Sequence, residues 1–136
     1  MVEVSITYTG DLHCQAVHGP SSSSLETDAP VDNRGRGERF SPTDLVATGL
    51  GTCMATIMGM QADVLGIDLT GARVRVTKEM TASPPRRIAR LDVAIDIPGN
   101  LTDKQKAQLE RAAETCPVHR SLHPEVAVPV TFNWGA

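Results

Sequence analysis

The stretch "SPTDLVATGLGTCMATIMGMQADVLG" (41–66) decides the fold. Ser41 is a good N-cap, Pro42 suits the first helical position, and Asp44 stands where it can complete a capping-box pair. Two apolar stripes follow at helical spacing. One holds Leu45, Cys53, Ile57, Met60 and Val64, and the other Val46, Leu50, Met54 and Met58. Gly66 is a stop signal. The pattern predicts a helix running to about Leu65, about 36 Å long at a rise of about 1.5 Å per residue. A helix apolar on most sides must be covered, and a chain of 136 residues is short for wrapping it alone. A second subunit is therefore expected over part of it. Gly49, Gly51 and Gly59 each cost up to about 1 kcal/mol of helix propensity, and they read as places where another backbone comes close.

Strand signals lie on both sides of this helix. "VEVSITYT" (2–9) puts Val2, Val4, Ile6 and Tyr8 on one face, the pattern of a half-buried strand. Gly10-Asp11 is a turn signal, and "LHCQAV" (12–17) returns as the second arm of a hairpin. A short strand is expected near Leu25, followed by the long polar loop "APVDNRGRGERF" (29–40). Beyond the helix, "ARVRVTKEM" (72–80) and "RIARLDVAIDI" (87–97) alternate, with Leu91, Val93, Ile95 and Ile97 facing inward. "SPPRR" (83–87) joins them as a hairpin loop. Thr102 and Gln105 form a second capping-box pair, opening a helix that runs to about Cys116 before Pro117. "EVAVPVTFNW" (125–134) is a last strand, held to an edge position by Pro129. The order β-β-(β)-α-β-β-α-β gives an α+β class in one domain spanning 1–136.

Composition narrows the function classes. Hydrophobic residues make up 40% and aromatics 3%, and the formal net charge is −3. That charge lacks the basic footprint of a nucleic-acid binder. No basic, apolar-cored leader is read at the start. No run is expected to reach the roughly 20 apolar residues of a membrane span, since Asp44, Gln61 and Asp63 bound the longest one. The expectation is a cytoplasmic protein with neither nucleic acid nor membrane as partner. Three cysteines, Cys14, Cys53 and Cys116, are odd in number and widely spaced, unlike a secreted disulfide framework. No phosphate loop, dinucleotide glycine fingerprint or nucleophile elbow is present.

The cysteines carry the candidate chemistry, and each admits two readings. Cys53 in an apolar helix is either a buried small hydrophobe or a nucleophile. An apolar setting raises a thiol's pKa, so a reactive Cys53 needs a cation. The nearest source in sequence is the loop bearing Arg34, Arg36 and Arg39. Cys116, at a helix end that disfavours negative charge, suits a resolving thiol better than an attacking one. "CPVHRSLH" (116–123) adds His119 and His123, but Pro117 and Pro124 interrupt any helix that would align them. The spacing matches no strong zinc signature, and no metal is expected. Cys14 reads as a packed or edge thiol on a strand. Met54, Met58 and Met60 read as plain core or as the lining of an apolar pocket.

"FSPTDLVATGLGTCM" (40–54) together with "AAETCPVHRSLHPEVAV" (112–128) resembles the OsmC/Ohr family, in which a proline-led helix start precedes a first cysteine and a "CPV"-type second cysteine follows late in the chain. Here the two cysteines are 63 residues apart, and the element order agrees over essentially the whole chain. The resemblance implies an OsmC-like fold: an intertwined homodimer with six-stranded, antiparallel-rich sheets from both chains around two long central helices. It implies thiol-dependent reduction of organic hydroperoxides or hydrogen peroxide in oxidative stress defence. No cofactor is implied, the substrate is a peroxide, and an external dithiol is the reductant. Cys53 would be the peroxidatic thiolate and Cys116 the resolving thiol. Arg34, 19 positions before Cys53, would supply the guanidinium, with Arg36 as the fallback. The family's peroxidases carry a glutamate directly after the motif proline, where this chain has Thr43. Asp44 and Glu38 are the other carboxylates within reach in sequence. The chain thus resembles the broad OsmC-like branch rather than the dedicated Ohr enzymes. The alternative reading is a non-enzymatic OsmC-like dimer that senses redox state or binds a small ligand.

Overall fold

The computed structural model describes residues 1–136. Its backbone divides into two compact units, Met1–Val46 and Ala47–Ala136.

In the first unit, β1 (Val4–Gly10), β2 (His13–His18) and β3 (Ser24–Asp28) form an antiparallel sheet in that order. The β1–β2 turn is tight, with positive φ at Gly10, Asp11 and Leu12. The register sets Ile6 opposite Ala16, Ala16 opposite Leu25, and His13 opposite Asp28. Facing residues share one side of a sheet, so Val4, Ile6, Tyr8, Ala16 and Leu25 make one apolar face. The half-buried strand expected at 2–9 is instead open on that face: Ile6 is 68% and Tyr8 63% exposed. Alternation marks the face that gains by being covered; it does not identify the surface that covers it.

After β3 a 3-10 turn (Val31–Asn33) ends at Arg34, whose φ of 72° is in the left-handed region. α1 (Pro42–Leu65) then begins as its sequence requires. The Asp44 N–H donates to Ser41 Oγ at 3.1 Å, and the Ser41 N–H donates to Asp44 Oδ2 at 2.9 Å. This reciprocal cap satisfies two donors that a helix start would otherwise leave unpaired. Gly66, with φ of 69°, closes the other end.

The second unit is a sheet with helices on one face. β5 (Ile88–Ile97) is central, antiparallel to β4 (Arg73–Met80) and parallel to β6 (Val130–Trp134). Pro129 lies just before β6, and β6 is the edge strand the proline calls for. Leu91, Val93, Ile95 and Ile97 of β5 are buried against Leu50, Met54, Met58 and Ala62 of α1 and Leu109 and Ala113 of α2 (Asp103–Glu114). Each large side chain in that layer is worth about 1.5–3 kcal/mol of burial. α2 opens on the expected box: the Gln105 N–H donates to Thr102 Oγ1 at 3.2 Å, and the Thr102 N–H to Gln105 Oε1 at 2.9 Å.

The glycines of α1 do not share one purpose. A Cβ at Gly51 would stand 3.0 Å from Val76 Cγ2 and 3.3 Å from Val74 Cγ1, so the helix lies against β4 at that point. Gly49 and Gly59 meet nothing within 4 Å. Within the chain the close approach occurs at Gly51, against side chains rather than backbone. Of the two apolar stripes, Leu50, Met54 and Met58 are buried, while Met60 is 62% and Val64 79% exposed.

α1 is long and apolar enough to cross a membrane by length and composition, with mean hydropathy 1.3 over its best window. This departs from the expectation that no stretch would reach that level. Its leucine, valine, isoleucine, methionine, cysteine and alanine residues keep the mean high between the few charged ones. Core helices pass the same test, and one face of α1 is core.

Candidate functional site

Cys53 projects from the middle of α1 and is half-buried. Cys116 is fully buried and belongs to the core. Although 63 positions apart in sequence, the two thiols come close: Cys53 is among the neighbours that raise the pKa of Cys116. Both are free thiols. The fold achieves this by laying α1 and α2 on the same face of the sheet, so that residues from mid-α1 and from just past α2 share one layer.

The surroundings of Cys116 differ from the expected helix end. α2 stops at Glu114, with Thr115 as its C-cap, and a further helix, α3 (Pro117–Ser121), starts at once. Cys116 is the N-cap of α3, and its Sγ accepts the His119 N–H at 3.4 Å. Pro117 does not simply end a helix; it occupies the first turn of the next, where its missing N–H costs nothing. Burial pushes the Cys116 thiol above its ordinary pKa, the nearby Cys53 pushes it further, and the His119 N–H pulls the other way. Cys116 is therefore held as a neutral thiol behind a more accessible Cys53.

The methionines do not line one pocket. Met54 borders a small cavity of about 270 Å³ with Ala113, His119, Val128, Val130 and Phe132, immediately beside α3. Met58 lines a larger cavity of about 650 Å³ towards the end of α1, where Cys53 takes no part. Met60 faces outward. Neither Cys53 nor Cys116 lines either cavity.

The remaining candidates belong to the first unit. Arg34 is exposed and closes the 3-10 turn. The Arg36 guanidinium stands 3.8 Å from Glu38 Oε1. Arg39 pairs with Glu26 at 3.3 Å and donates to the Glu38 carbonyl at 2.9 Å, which commits it to the loop's own structure. Thr43 Oγ1 is 3.3 Å from Ser41 Oγ, and the Asp44 carboxylate is engaged in the helix cap. Cys14 lies on β2 opposite Thr27 and Tyr8.

A second cluster in this unit escaped the sequence reading. The Nε2 of His13 lies 3.6 Å from Asp28 Oδ1 and 3.7 Å from Glu38 Oε2. Asp28 is buried, and its Oδ2 accepts the N–H groups of Arg36 at 3.2 Å and Glu38 at 3.1 Å. The Glu38 N–H is the main cause of its lowered pKa, which burial opposes and His13 assists. The signal that would have found it is the β2–β3 register, which sets His13 opposite Asp28.

Comparison with known proteins adds a family frame. A family model described as OsmC-like protein matches residues 35–131. A crystal structure from Psychrobacter arcticus 273-4, of a protein provisionally named an osmotic stress induced and detoxification response protein, is 44% identical with a TM-score of 0.92; the match covers 98% of this chain and 96% of that one. The organic hydroperoxide resistance protein OsmC of Legionella pneumophila superposes with a TM-score of 0.77 at 18% identity, covering 98% and 96% of the two chains. The organic hydroperoxide resistance protein OhrB of Bacillus subtilis gives 0.72 at 14% identity, covering 98% of each. At those identities the last two speak to the fold, an α+β arrangement they have in common with this chain. No match was found among curated proteins.

Proposed function

The chain belongs to the OsmC-like protein family, and from that premise we propose that it reduces hydroperoxides through a two-cysteine cycle. The observation that carries this reading is the proximity of a half-buried Cys53 to a buried Cys116.

In the first step the Cys53 thiolate attacks the terminal peroxide oxygen. The O–O bond breaks, the alcohol leaves with a proton, and Cys53 becomes a sulfenic acid. Cys116 then attacks the Cys53 sulfur, water is released, and a disulfide closes. An external dithiol reduces that disulfide, taking the two electrons and restoring both thiols. Cys53 suits the attacking role because it is the more open of the two. Cys116 suits the resolving role because burial keeps it protonated until an electrophilic sulfur forms beside it. Arg34, with Arg36 second, is assigned to stabilise the thiolate and orient the peroxide. Because the cycle needs a supply of reduced dithiol, a cytoplasmic setting fits it.

The functional unit of this proposal is a homodimer. Its support is the apolar surface a single chain leaves open, at Ile6 and Tyr8 in one unit and Met60 and Val64 in the other. Analytical ultracentrifugation at micromolar concentration is expected to give twice the chain mass, and a monomer overturns this part.

The test of the chemistry is a thiol titration before and after one equivalent of cumene hydroperoxide. Two thiols per chain should disappear rapidly in the parent and none rapidly in Cys53→Ser. Oxidation no faster than that of free cysteine would falsify the enzyme reading and favour a sensing or ligand-binding role.

A further inference from the structure

We propose that His13, Asp28 and Glu38 form a binding site for a divalent transition-metal ion, separate from the cysteine pair. His13 Nε2 and one oxygen from each carboxylate lie within 4.8 Å of one another. The two distances to His13, 3.6 and 3.7 Å, are too long for hydrogen bonds. They are close to the ligand-to-ligand edge of about 3.3 Å that tetrahedral bonds of about 2.0 Å require. The three groups thus stand as neighbours around a common point rather than as bonded partners.

An independent observation points the same way. Asp28 Oδ1 is buried and has no hydrogen-bond partner, and the Asp28 side chain is 0% exposed. A buried carboxylate oxygen left unmatched costs free energy, and most native ones are satisfied. This one faces His13, with Glu38 across from it. Its sister oxygen is held by the N–H groups of Arg36 and Glu38, so Oδ1 has a fixed direction. The Asp28 pKa is lowered, chiefly by the Glu38 N–H, and the group is a carboxylate at neutral pH. Glu38 is half exposed and His13 partly so, which gives an ion a way in and leaves coordination positions for water.

One imidazole and two carboxylates suit borderline divalent ions such as Zn²⁺, Co²⁺ or Mn²⁺ better than Ca²⁺, which takes oxygen alone. An ion here would tie together β2 through His13, β3 through Asp28, and the loop at 29–40 through Glu38. It would therefore fasten the segment that carries Arg34 and Arg36. The inference does not depend on the peroxide chemistry.

The experiment is a titration of Co²⁺ into the reduced full-length chain, read by visible absorption. Binding of one equivalent per chain is expected, with weak d–d bands and without the intense sulfur-to-cobalt charge-transfer absorption that thiolate ligands produce. His13→Gln and Glu38→Gln should each weaken it at least tenfold while keeping the parent's circular dichroism and melting midpoint. Should both variants unfold, hydrogen exchange on the unmodified chain decides: Zn²⁺ should slow the Arg36 and Glu38 amides at least tenfold. The proposal is overturned by no binding up to about 1 mM Co²⁺, by binding that survives His13→Gln, by a thiolate signature that Cys53→Ser removes, or by unchanged exchange at those amides.

Discussion

Replacing Cys116 by serine separates the chemistry of that sulfur from its place in the fold. The side chain is fully buried, accepts the His119 N–H at 3.4 Å and lies close to Cys53. A serine hydroxyl still accepts the His119 N–H, a bond worth about 0.5–1.5 kcal/mol. It also puts a more polar group where the thiol behaved as a small hydrophobe, at a cost of about 1–3 kcal/mol. The net loss is about 1 kcal/mol, which lowers the melting midpoint by about 3–5 °C in a chain of this size. The chemical effect is far larger than the structural one. Cys53 can still attack a peroxide, but its sulfenic acid has no neighbouring thiol with which to condense. One equivalent of cumene hydroperoxide should leave a sulfenic acid on Cys53, trapped with dimedone and located by peptide mass spectrometry. The parent should yield the Cys53–Cys116 disulfide and little adduct. Dithiol-supported turnover should drop at least tenfold, about 1.4 kcal/mol or more in barrier. Unchanged turnover in a folded variant, or an adduct on Cys14 instead of Cys53, refutes the assignment of roles. A midpoint lowered by more than about 10 °C refutes the energetic reasoning and means the sulfur packs in a way oxygen cannot reproduce.

Three further outcomes are expected. Gly51→Ala gains up to about 1 kcal/mol of helix propensity but crowds Val74 and Val76 at 3.0–3.3 Å, an overpacking cost of about 1–3 kcal/mol; calorimetry should show a lower midpoint, while Gly59→Ala, with nothing nearby, should not lower it. The folded pKa of Cys116 lies above its unfolded value, chiefly because of burial, so its contribution to stability is complete below about pH 8.5 and declines as the pH rises from there. Unfolding midpoints in denaturant should therefore fall at alkaline pH, and less steeply in Cys116→Ala; equal slopes would show that another group is responsible. Thr43→Glu restores the carboxylate that the family's peroxidases carry in the first turn of this helix, where negative charge is also favoured by about 0.3–1 kcal/mol; peroxide consumption should rise about tenfold, equivalent to about 1.4 kcal/mol, and an unchanged rate removes that residue from the explanation.

Local signals were legible in the sequence and pairings were not. The boundaries of α1 could be read because Ser41, Pro42, Asp44 and Gly66 act within one turn of themselves. Cys53 and Cys116 could be singled out by type and setting, yet only the layering of α1 and α2 brings them close together. The α2–α3 junction was missed because Pro117 reads equally as a helix stop and as a first-turn residue. The apolar side of β1 was recognised, but its covering was not, since that depends on surfaces the strand does not carry. The His13–Asp28–Glu38 cluster was invisible for the same reason: its members lie on two strands and a loop, and only the β2–β3 register aligns them.

The position of Cys116 as N-cap of α3 gives its sulfur a second constituency. The same atom that would enter a disulfide also receives the His119 N–H, so any change in its bonding is communicated to the backbone of α3. The amide of His119 is therefore a reporter built into the chain. Its nuclear magnetic resonance shift would read the state of the buried thiol without a reagent ever reaching it, as a gauge mounted outside a sealed vessel reads the pressure within.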